Sequence, residues 1–215
     1  MTWHEVLRTQ LADALAEAGP DAPTLCEGWR SQHLAAHIIL RENNAVVGLG
    51  LVVPALAGHT EQATDDLAAT GTSEGGYRDL VSRVATSPAP WHPLAWAGEA
   101  ANVIEFFVHT EDVRRGAGPV PARELDAALV EALWAQLPRF ASLRARRAGV
   151  GLVVVRPDGV RRRLRGGSRG HGTVVVRGEV GELLLWISGR GAAADVHVEG
   201  APDDVESLTQ VLPVG

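Results

Sequence analysis

Apolar residues recur every three or four positions through the first two thirds of the chain, which is the spacing of amphipathic helices. The first of these segments opens at Thr2 with the pattern of a capping box, in which Glu5 reaches back to the N-cap. It ends before Gly19 and Pro20. The pattern predicts helices at residues 3–18, 29–48, 61–69, 77–85, 94–116 and 124–143.

After residue 149 the spacing changes from helical to extended. The first two extended runs are joined by a Pro-Asp-Gly turn at residues 157–159, which predicts a hairpin. The predicted strands are residues 150–156, 160–165, 172–177, 182–188 and 195–199, and a last helix is predicted at 203–211. A sheet of about five short strands with one or two helices is typical of a small α+β domain.

This change of periodicity predicts an α+β protein with two domains, a helical bundle at residues 1–148 and a small α+β domain at residues 149–215. The distribution of charge also divides the chain. Residues 1–120 contain 7 arginines and 15 acidic residues, whereas residues 139–190 contain 12 arginines and 3 acidic residues. A length of 215 residues suits one larger domain with a smaller second one.

Composition excludes several classes of protein. The chain does not open with a basic region and an apolar stretch, and it has no run of about 18 apolar residues, so we expect a cytoplasmic protein without a signal peptide or membrane span. Cys26 is the only cysteine, which excludes an intrachain disulfide and a cysteine-based metal cluster. The arginine-rich part lacks interleaved aromatic residues and recognised motifs, so we expect no nucleic-acid partner.

Candidate chemistry is concentrated in the segment from Ala100 to Arg115. Glu105 is the only ionisable residue before Val108, and His109 follows it by one helical turn on the same face. A carboxylate buried among apolar side chains costs several kcal/mol unless a cation compensates it. Most pairs with this spacing are solvated neighbours, so a second group is needed to indicate a metal site.

That second group is His37, the only ionisable residue between Leu34 and Leu40 of another apolar helix. Inward side chains of facing helices converge, and the cores of helical bundles commonly hold metal sites. His37, Glu105 and His109 are therefore the predicted ligands of a divalent ion. Zinc is the expected ion, because two histidines and one glutamate leave the open position of a catalytic zinc site. The alternative is that His37 is a hydrogen-bonded core histidine.

Polar neighbours of these ligands complete the candidate site. Asp112 is predicted to accept the other ring N–H of His109 or to contact the substrate, and a salt bridge with Arg115 is the alternative. Arg41, one turn after His37, is predicted to hold a carboxylate. Asn102, one turn before the glutamate, is a candidate for supporting the ligands through hydrogen bonds.

Two further histidines and the cysteine also lie near the predicted site in sequence. His33 and His59 compete for the ligand role, and His33 is itself one turn before His37. We rank both below the three ligands named above. Cys26 lies in the loop before this helix with only Arg30 as a neighbouring cation, so we predict a structural or incidental thiol rather than a nucleophile.

Two segments carry a family resemblance, LCEGWRSQHLAAHI at residues 25–38 and NVIEFFVHTEDVRR at residues 102–115. They resemble the DinB-like metal-binding proteins of the mycothiol-dependent maleylpyruvate isomerase family, and the resemblance is closest to a branch of metal-binding proteins with unassigned substrates. In that family a tryptophan begins the helix of the first histidine, and Glu-x3-His on a later helix completes the metal site. The matching positions in this chain are Trp29, His37, Glu105 and His109.

The resemblance covers nearly the whole chain and implies a four-helix bundle joined to a small α+β domain like that of sterol carrier proteins. One position departs from the pattern. Relatives often have an aspartate four residues before the first histidine, whereas this chain has His33. The exchange leaves open whether His33 is a fourth ligand or a polar neighbour.

The resemblance further implies a metal-dependent enzyme that uses mycothiol, a low-molecular-weight thiol, for isomerisation or thiol transfer. The expected partners are a small-molecule substrate or thiol, with neither nucleic acid nor membrane, and a homodimer is left open. Two alternatives stay open for the function. One is a non-catalytic, metal-dependent binding protein for a small molecule, and the other is a metal-dependent hydrolase that activates water.

Overall fold

The computed structural model describes residues 2–43, 57–86 and 99–215. It contains helices and a mixed sheet, which confirms the predicted α+β class. The chain divides into two compact units, Met1–Val120 and Pro121–Gly215, so the helix at residues 127–144 groups with the second unit. The sequence placed the boundary later, after residue 148. No helix within the described ranges is both long enough and apolar enough to cross a membrane.

The described residues of the first unit form five helices. They are α1 (Trp3–Ala18), α2 (Ser31–Asn43), α3 (Ala57–Ala69), α4 (Glu74–Ala85) and α5 (Glu99–Arg114). Helix α1 packs against α5 and α4, and α2 packs against α3 and α4. The predicted continuations of α2 to residue 48 and of α5 before residue 99 lie outside the described residues. A bundle of four helices therefore stays a prediction.

Both ends of α1 follow the prediction from the sequence. At the start, the Thr2 backbone N–H donates to Glu5 Oε2 at 2.8 Å, as a capping box requires. At the end, Gly19 adopts a φ of +81° and its N–H donates to the Leu15 carbonyl. Leu7, Leu11 and Leu15 are fully buried, so the apolar spacing read from the sequence is the packed face of this helix.

Tyr77 ties α4 to the end of α1. Its hydroxyl donates to the Leu15 carbonyl at 2.8 Å and its ring is buried. Burial raises the pKa of Tyr77 to about 12. Because the chain has one tyrosine and no lysine, few other side chains titrate between about pH 10 and about pH 12.

We therefore expect tyrosinate absorbance to appear with a midpoint of about 12 in the folded protein, and with a midpoint of about 10 in concentrated urea. The folded-state pKa lies above the unfolded-state value. The stabilisation from the buried phenol is thus complete below about pH 10 and is lost as the pH rises toward the folded-state pKa. The thermal unfolding midpoint should fall over this range and change less in Tyr77→Phe. A midpoint of about 10 in the folded protein contradicts the expectation.

The second unit contains a four-stranded sheet and three helices in its described residues. Its main elements are α6 (Ala127–Arg144), β1 (Gly151–Val155), β2 (Arg161–Arg165), β3 (Thr173–Arg177), α7 (Val180–Leu185), β4 (His197–Glu199) and α8 (Pro202–Thr209). The strand order is β2-β1-β3-β4. Strand β1 pairs antiparallel with β2 and parallel with β3, and β3 pairs antiparallel with β4.

Residues of the strands alternate between a buried and a more exposed face. On the buried face, Leu152 and Val154 of β1 and Val174 and Val176 of β3 are fully buried. The exposed arginines of β2 lie on the opposite face of the sheet, as expected for a face in contact with solvent. The predicted hairpin is confirmed, with a register that places Val153 opposite Arg163.

The predicted strand at residues 182–188 is wrong. These residues belong to α7 and to the wider helical turn Trp186–Arg190 that follows it. A short run of consecutive apolar residues suits a buried helix as well as a buried strand, and periodicity cannot separate the two. Leu183, Leu184 and Leu185 are fully buried on all sides of the helix. The likeness of this unit to sterol carrier proteins stays a prediction.

Candidate metal centre

Two apolar helices position the three predicted ligands. His37 lies in α2 between residues that are almost completely buried, and Glu105 and His109 lie on α5 with the buried Phe106 and Phe107 between them. A helix that is apolar on most sides is buried on most sides, so its few polar side chains meet other polar groups inside the unit. The i, i+4 spacing places Glu105 and His109 on one face of α5, as predicted.

The structure brings the three residues together. The Nε2 atom of His37 lies 3.2 Å from Glu105 Oε1, and the Nε2 atom of His109 lies 3.3 Å from the same oxygen. The two imidazole rings have centroids 5.2 Å apart and meet edge to face. One potential ligand atom from each residue lies within 4.8 Å of the others. The glutamate side chain is 22% exposed, so solvent reaches this group from the glutamate side.

These distances fit a tetrahedral ion. Two ligand atoms that each lie about 2.0–2.1 Å from a tetrahedral zinc are about 3.3–3.4 Å apart, close to the observed nitrogen–oxygen separations. Two imidazole nitrogens and a carboxylate oxygen are also a donor set that zinc prefers. The same separations are compatible with hydrogen bonds, so the residue types and their burial, rather than the spacing alone, favour a metal.

Burial and hydrogen bonding shift the pKa values of the three residues in opposite directions. Burial, the largest influence on Glu105, is outweighed by hydrogen bonds with His109 and His37, which hold the pKa of Glu105 well below its usual range. At His109, burial is likewise outweighed, by the hydrogen bond to Asp112 and the contacts with Cys26 and Glu105, and the pKa rises well above its usual value. Burial prevails at His37 and lowers its pKa. A cation that binds both imidazoles therefore displaces one proton.

Asp112 supports His109 from the side opposite Glu105. Its Oδ2 atom lies 2.8 Å from His109 Nδ1, and the side chain is fully buried. This contact is the one predicted from the sequence for the second ring nitrogen. Arg115, offered as the alternative partner, donates from its Nε atom to Glu111 Oε2 at 2.7 Å.

Arg41 lies beside Glu105, one helical turn after His37. Its Nε atom is 3.4 Å from Glu105 Oε1, and its Nη1 atom donates to Asn102 Oδ1 at 3.1 Å. The guanidinium is thus held next to the candidate ligands by a buried amide. Asn102 therefore contacts the group through Arg41.

The competing histidines lie elsewhere. His33 accepts a hydrogen bond at Nδ1 from the Arg30 backbone N–H at 3.2 Å, and its Nε2 atom is 4.0 Å from Asp65 Oδ1. His59 is exposed on α3. Within the described ranges, neither of them joins the group formed by His37, Glu105 and His109.

The loop before α2 contributes two contacts that the sequence analysis missed. The Sγ atom of Cys26 donates to Asp112 Oδ2 at 3.2 Å, and the Trp29 ring lies 5.2 Å from the His37 ring. Cys26, His109 and Asp112 form a second group whose potential ligand atoms lie within 4.8 Å of one another. Cys26 and Asp112 are 86 residues apart, so no local pattern could have indicated this contact.

The chain matches no protein-family model and no curated protein. Two crystal structures share its fold. That of the mycothiol-dependent maleylpyruvate isomerase is 18% identical with a TM-score of 0.55, and the match covers 94% of this chain and 92% of the isomerase. The structure of a histidine-to-alanine mutant of a mycothiol-dependent maleylpyruvate isomerase is 17% identical with a TM-score of 0.53. The match covers 94% of this chain and 98% of the mutant isomerase. The predicted resemblance is thereby confirmed at the level of the fold.

Proposed function

We propose that this protein binds one divalent cation through His37, Glu105 and His109 and is an enzyme that acts with a low-molecular-weight thiol. The observation that carries the metal proposal is the convergence of two Nε2 atoms on Glu105 Oε1, at 3.2 and 3.3 Å. Burying ionisable groups costs free energy unless partners compensate them. A cation bound by all three ligands supplies that compensation, and the cores of helical bundles commonly hold such sites.

Zinc is the ion that we propose. Two histidines and a glutamate form the protein part of many catalytic zinc sites, and they leave a further coordination position for water or substrate. A zinc ion held here would lower the pKa of a coordinated water or thiol and so provide a nucleophile near neutral pH. The partial exposure of Glu105 supports access of a small molecule to this position.

The thiol in this proposal comes from the fold neighbours, since both are described as mycothiol-dependent maleylpyruvate isomerases. We accordingly propose mycothiol as the partner of this chain and isomerisation or thiol transfer as its reaction. The metal site supports this choice, because zinc favours thiolate sulfur as a ligand. Function does not follow from fold alone, so the thiol needs its own test.

Two residues beside the proposed ligands have roles that we assign from their contacts. Asp112 accepts the Nδ1 proton of His109, which orients the ring and leaves Nε2 free to face the ion. Arg41 carries a positive charge beside Glu105 and is anchored by Asn102. We assign it the binding of an anionic group of the substrate, because guanidinium groups pair well with carboxylates.

Cobalt-loaded protein provides the test of thiol binding. Adding mycothiol is expected to produce a sulfur-to-cobalt charge-transfer band in the near ultraviolet, because the thiol sulfur enters the open coordination position. Glu105→Ala protein should give no band, since its site is empty or disordered. The band should persist in Cys26→Ser protein, which establishes that the sulfur belongs to the added thiol.

The outcomes separate the proposed enzyme from its alternatives. Absence of the band at saturating thiol in metal-loaded protein removes the thiol-transfer proposal and leaves the metal proposal standing. Stabilisation by a small ligand without consumption of thiol or substrate favours a binding protein. Turnover of a hydrolysable substrate by the zinc-loaded protein without thiol favours a hydrolase.

A further inference from the structure

The loop between α1 and α2 donates two hydrogen bonds to one residue of α5, Asp112. The Leu25 backbone N–H donates to the Asp112 carbonyl at 3.0 Å. The Cys26 thiol donates to the Asp112 side chain at 3.2 Å, and the oxygen that accepts it, Oδ2, is the one that also contacts His109 Nδ1 at 2.8 Å. A hydrogen-bonded chain thus runs from the loop thiol through a buried carboxylate to a proposed metal ligand.

The loop itself is held in one conformation near Cys26. The hydroxyl of Thr24 accepts from the Cys26 backbone N–H at 3.2 Å and donates to the Trp29 carbonyl at 2.9 Å. At the loop's other contact with the end of α5, Gly116 approaches Pro23 so closely that a Cβ atom at Gly116 would lie 2.0 Å from the Pro23 carbonyl oxygen. These contacts hold the loop backbone in one conformation and so fix the position of the Cys26 thiol next to Asp112.

We infer that Cys26 is a positioning residue of the metal centre, whose S–H donor fixes the Asp112 carboxylate and, through it, the orientation of His109. The inference rests on the proposed binding of a metal by His109. A carboxylate oxygen that accepts two hydrogen bonds has less freedom to rotate than one that accepts a single bond. His109 then presents its Nε2 atom toward Glu105 in a fixed direction. This favours ion binding, because less side-chain entropy is lost when the ion binds.

The geometry distinguishes this role from two others. The Cys26 Sγ atom donates to an anionic oxygen, Asp112 Oδ2, so a thiolate there would place a second anion against a buried carboxylate. A nucleophilic thiolate is stabilised by a neighbouring cation, and the nearby His109 ring already contacts a carboxylate oxygen at each nitrogen, Glu105 at Nε2 and Asp112 at Nδ1. Direct ligation by Cys26 would require Asp112 and the Nδ1 atom of His109 to give up their contact.

Metal affinity in three variants tests the inference. Cys26→Ala is expected to weaken zinc binding about tenfold, the lower end of the effect of removing a group that supports a ligand. Cys26→Ser should restore the affinity to within about threefold of wild type, because its hydroxyl can donate to Asp112. Leu25→Ala is the matched control, since it shortens the adjacent side chain while its backbone N–H still donates to Asp112. Competition with a chromophoric chelator gives the dissociation constants.

The visible spectrum of the cobalt-loaded proteins adds a readout of ligand geometry. We expect the cobalt d–d bands to shift in Cys26→Ala and to return in Cys26→Ser. Equal zinc affinity of Cys26→Ala and wild type, or failure of Cys26→Ser to rescue, overturns the inference while the metal proposal stands. A sulfur-to-cobalt band in wild type without added thiol makes Cys26 a ligand and also overturns it. If wild type binds no ion, the proposed function fails and the inference fails with it.

Discussion

Replacing His37, Glu105 or His109 by alanine is expected to remove most of the bound divalent ion from a protein that otherwise carries up to one ion per chain. Each variant deletes one of three protein ligands, so the loss of affinity should exceed the roughly 10–100-fold caused by removing groups that only support a ligand. Metal content after purification and equilibration with zinc, measured by atomic emission, gives the result. Circular dichroism of the same samples shows whether the helices persist.

His33→Ala is the matched control for these variants. His33 is also on α2, one turn before His37, but it is bound to the Arg30 backbone and lies near Asp65. Its replacement should leave metal content unchanged if the ligands are the three that we propose. Full metal occupancy in all three ligand variants would refute the site, and loss of metal in His33→Ala would make His33 a fourth ligand.

The ligand group could be predicted because its signal is local. Glu105 and His109 interrupt one apolar helix at i, i+4, and His37 interrupts another, so three polar side chains without an evident surface role had to meet inside the unit. The contact of Asp112 with His109 follows from the same helical geometry. Whether these residues hold a metal stays a prediction, because the contacts alone suit an ion pair as well.

The remaining features could not be predicted because they depend on tertiary contacts. Cys26 reaches Asp112 only through the docking of a loop onto a distant helix. The run at residues 182–188 satisfies strand and helix patterns equally, and both kinds of element contain fully buried residues in this unit, so the sequence pattern could not identify the helix. The two domain assignments differ for a similar reason, since the helical spacing of residues 127–144 does not show which neighbours this helix contacts.

A buried ion pair in the first unit also had no sequence signal. Arg8 of α1 forms a bidentate ion pair with Glu42 at the end of α2, and the side chains of both residues are 3% exposed. The same guanidinium donates to the Val84 carbonyl at 2.9 Å and lies over the Phe106 ring at 4.6 Å. Arg8 thus connects helices α1, α2, α4 and α5.

Arg8→Met is expected to lower the free energy of unfolding of the first unit by about 3–5 kcal/mol. The cost arises because Glu42 is left as a buried charge without its partner and the Val84 carbonyl loses a donor. Urea unfolding followed by far-ultraviolet circular dichroism measures it. As a control, Arg177→Met removes an exposed pair with Glu199, at 3.1 Å, and should cost less than about 1 kcal/mol.

The double variant Arg8→Met/Glu42→Leu separates the contribution of the ion pair to the free energy of unfolding from the cost of leaving one buried charge unpaired. With neither charge present, no buried ion is left uncompensated, so the double variant should be more stable than Arg8→Met alone. We expect a coupling energy of about 2–3 kcal/mol from the complete cycle. If Arg8→Met costs no more than Arg177→Met, the pair does not stabilise the unit. If the double variant loses the sum of the two single effects, the loss arises from the Val84 and Phe106 contacts of Arg8 rather than from an unpaired charge.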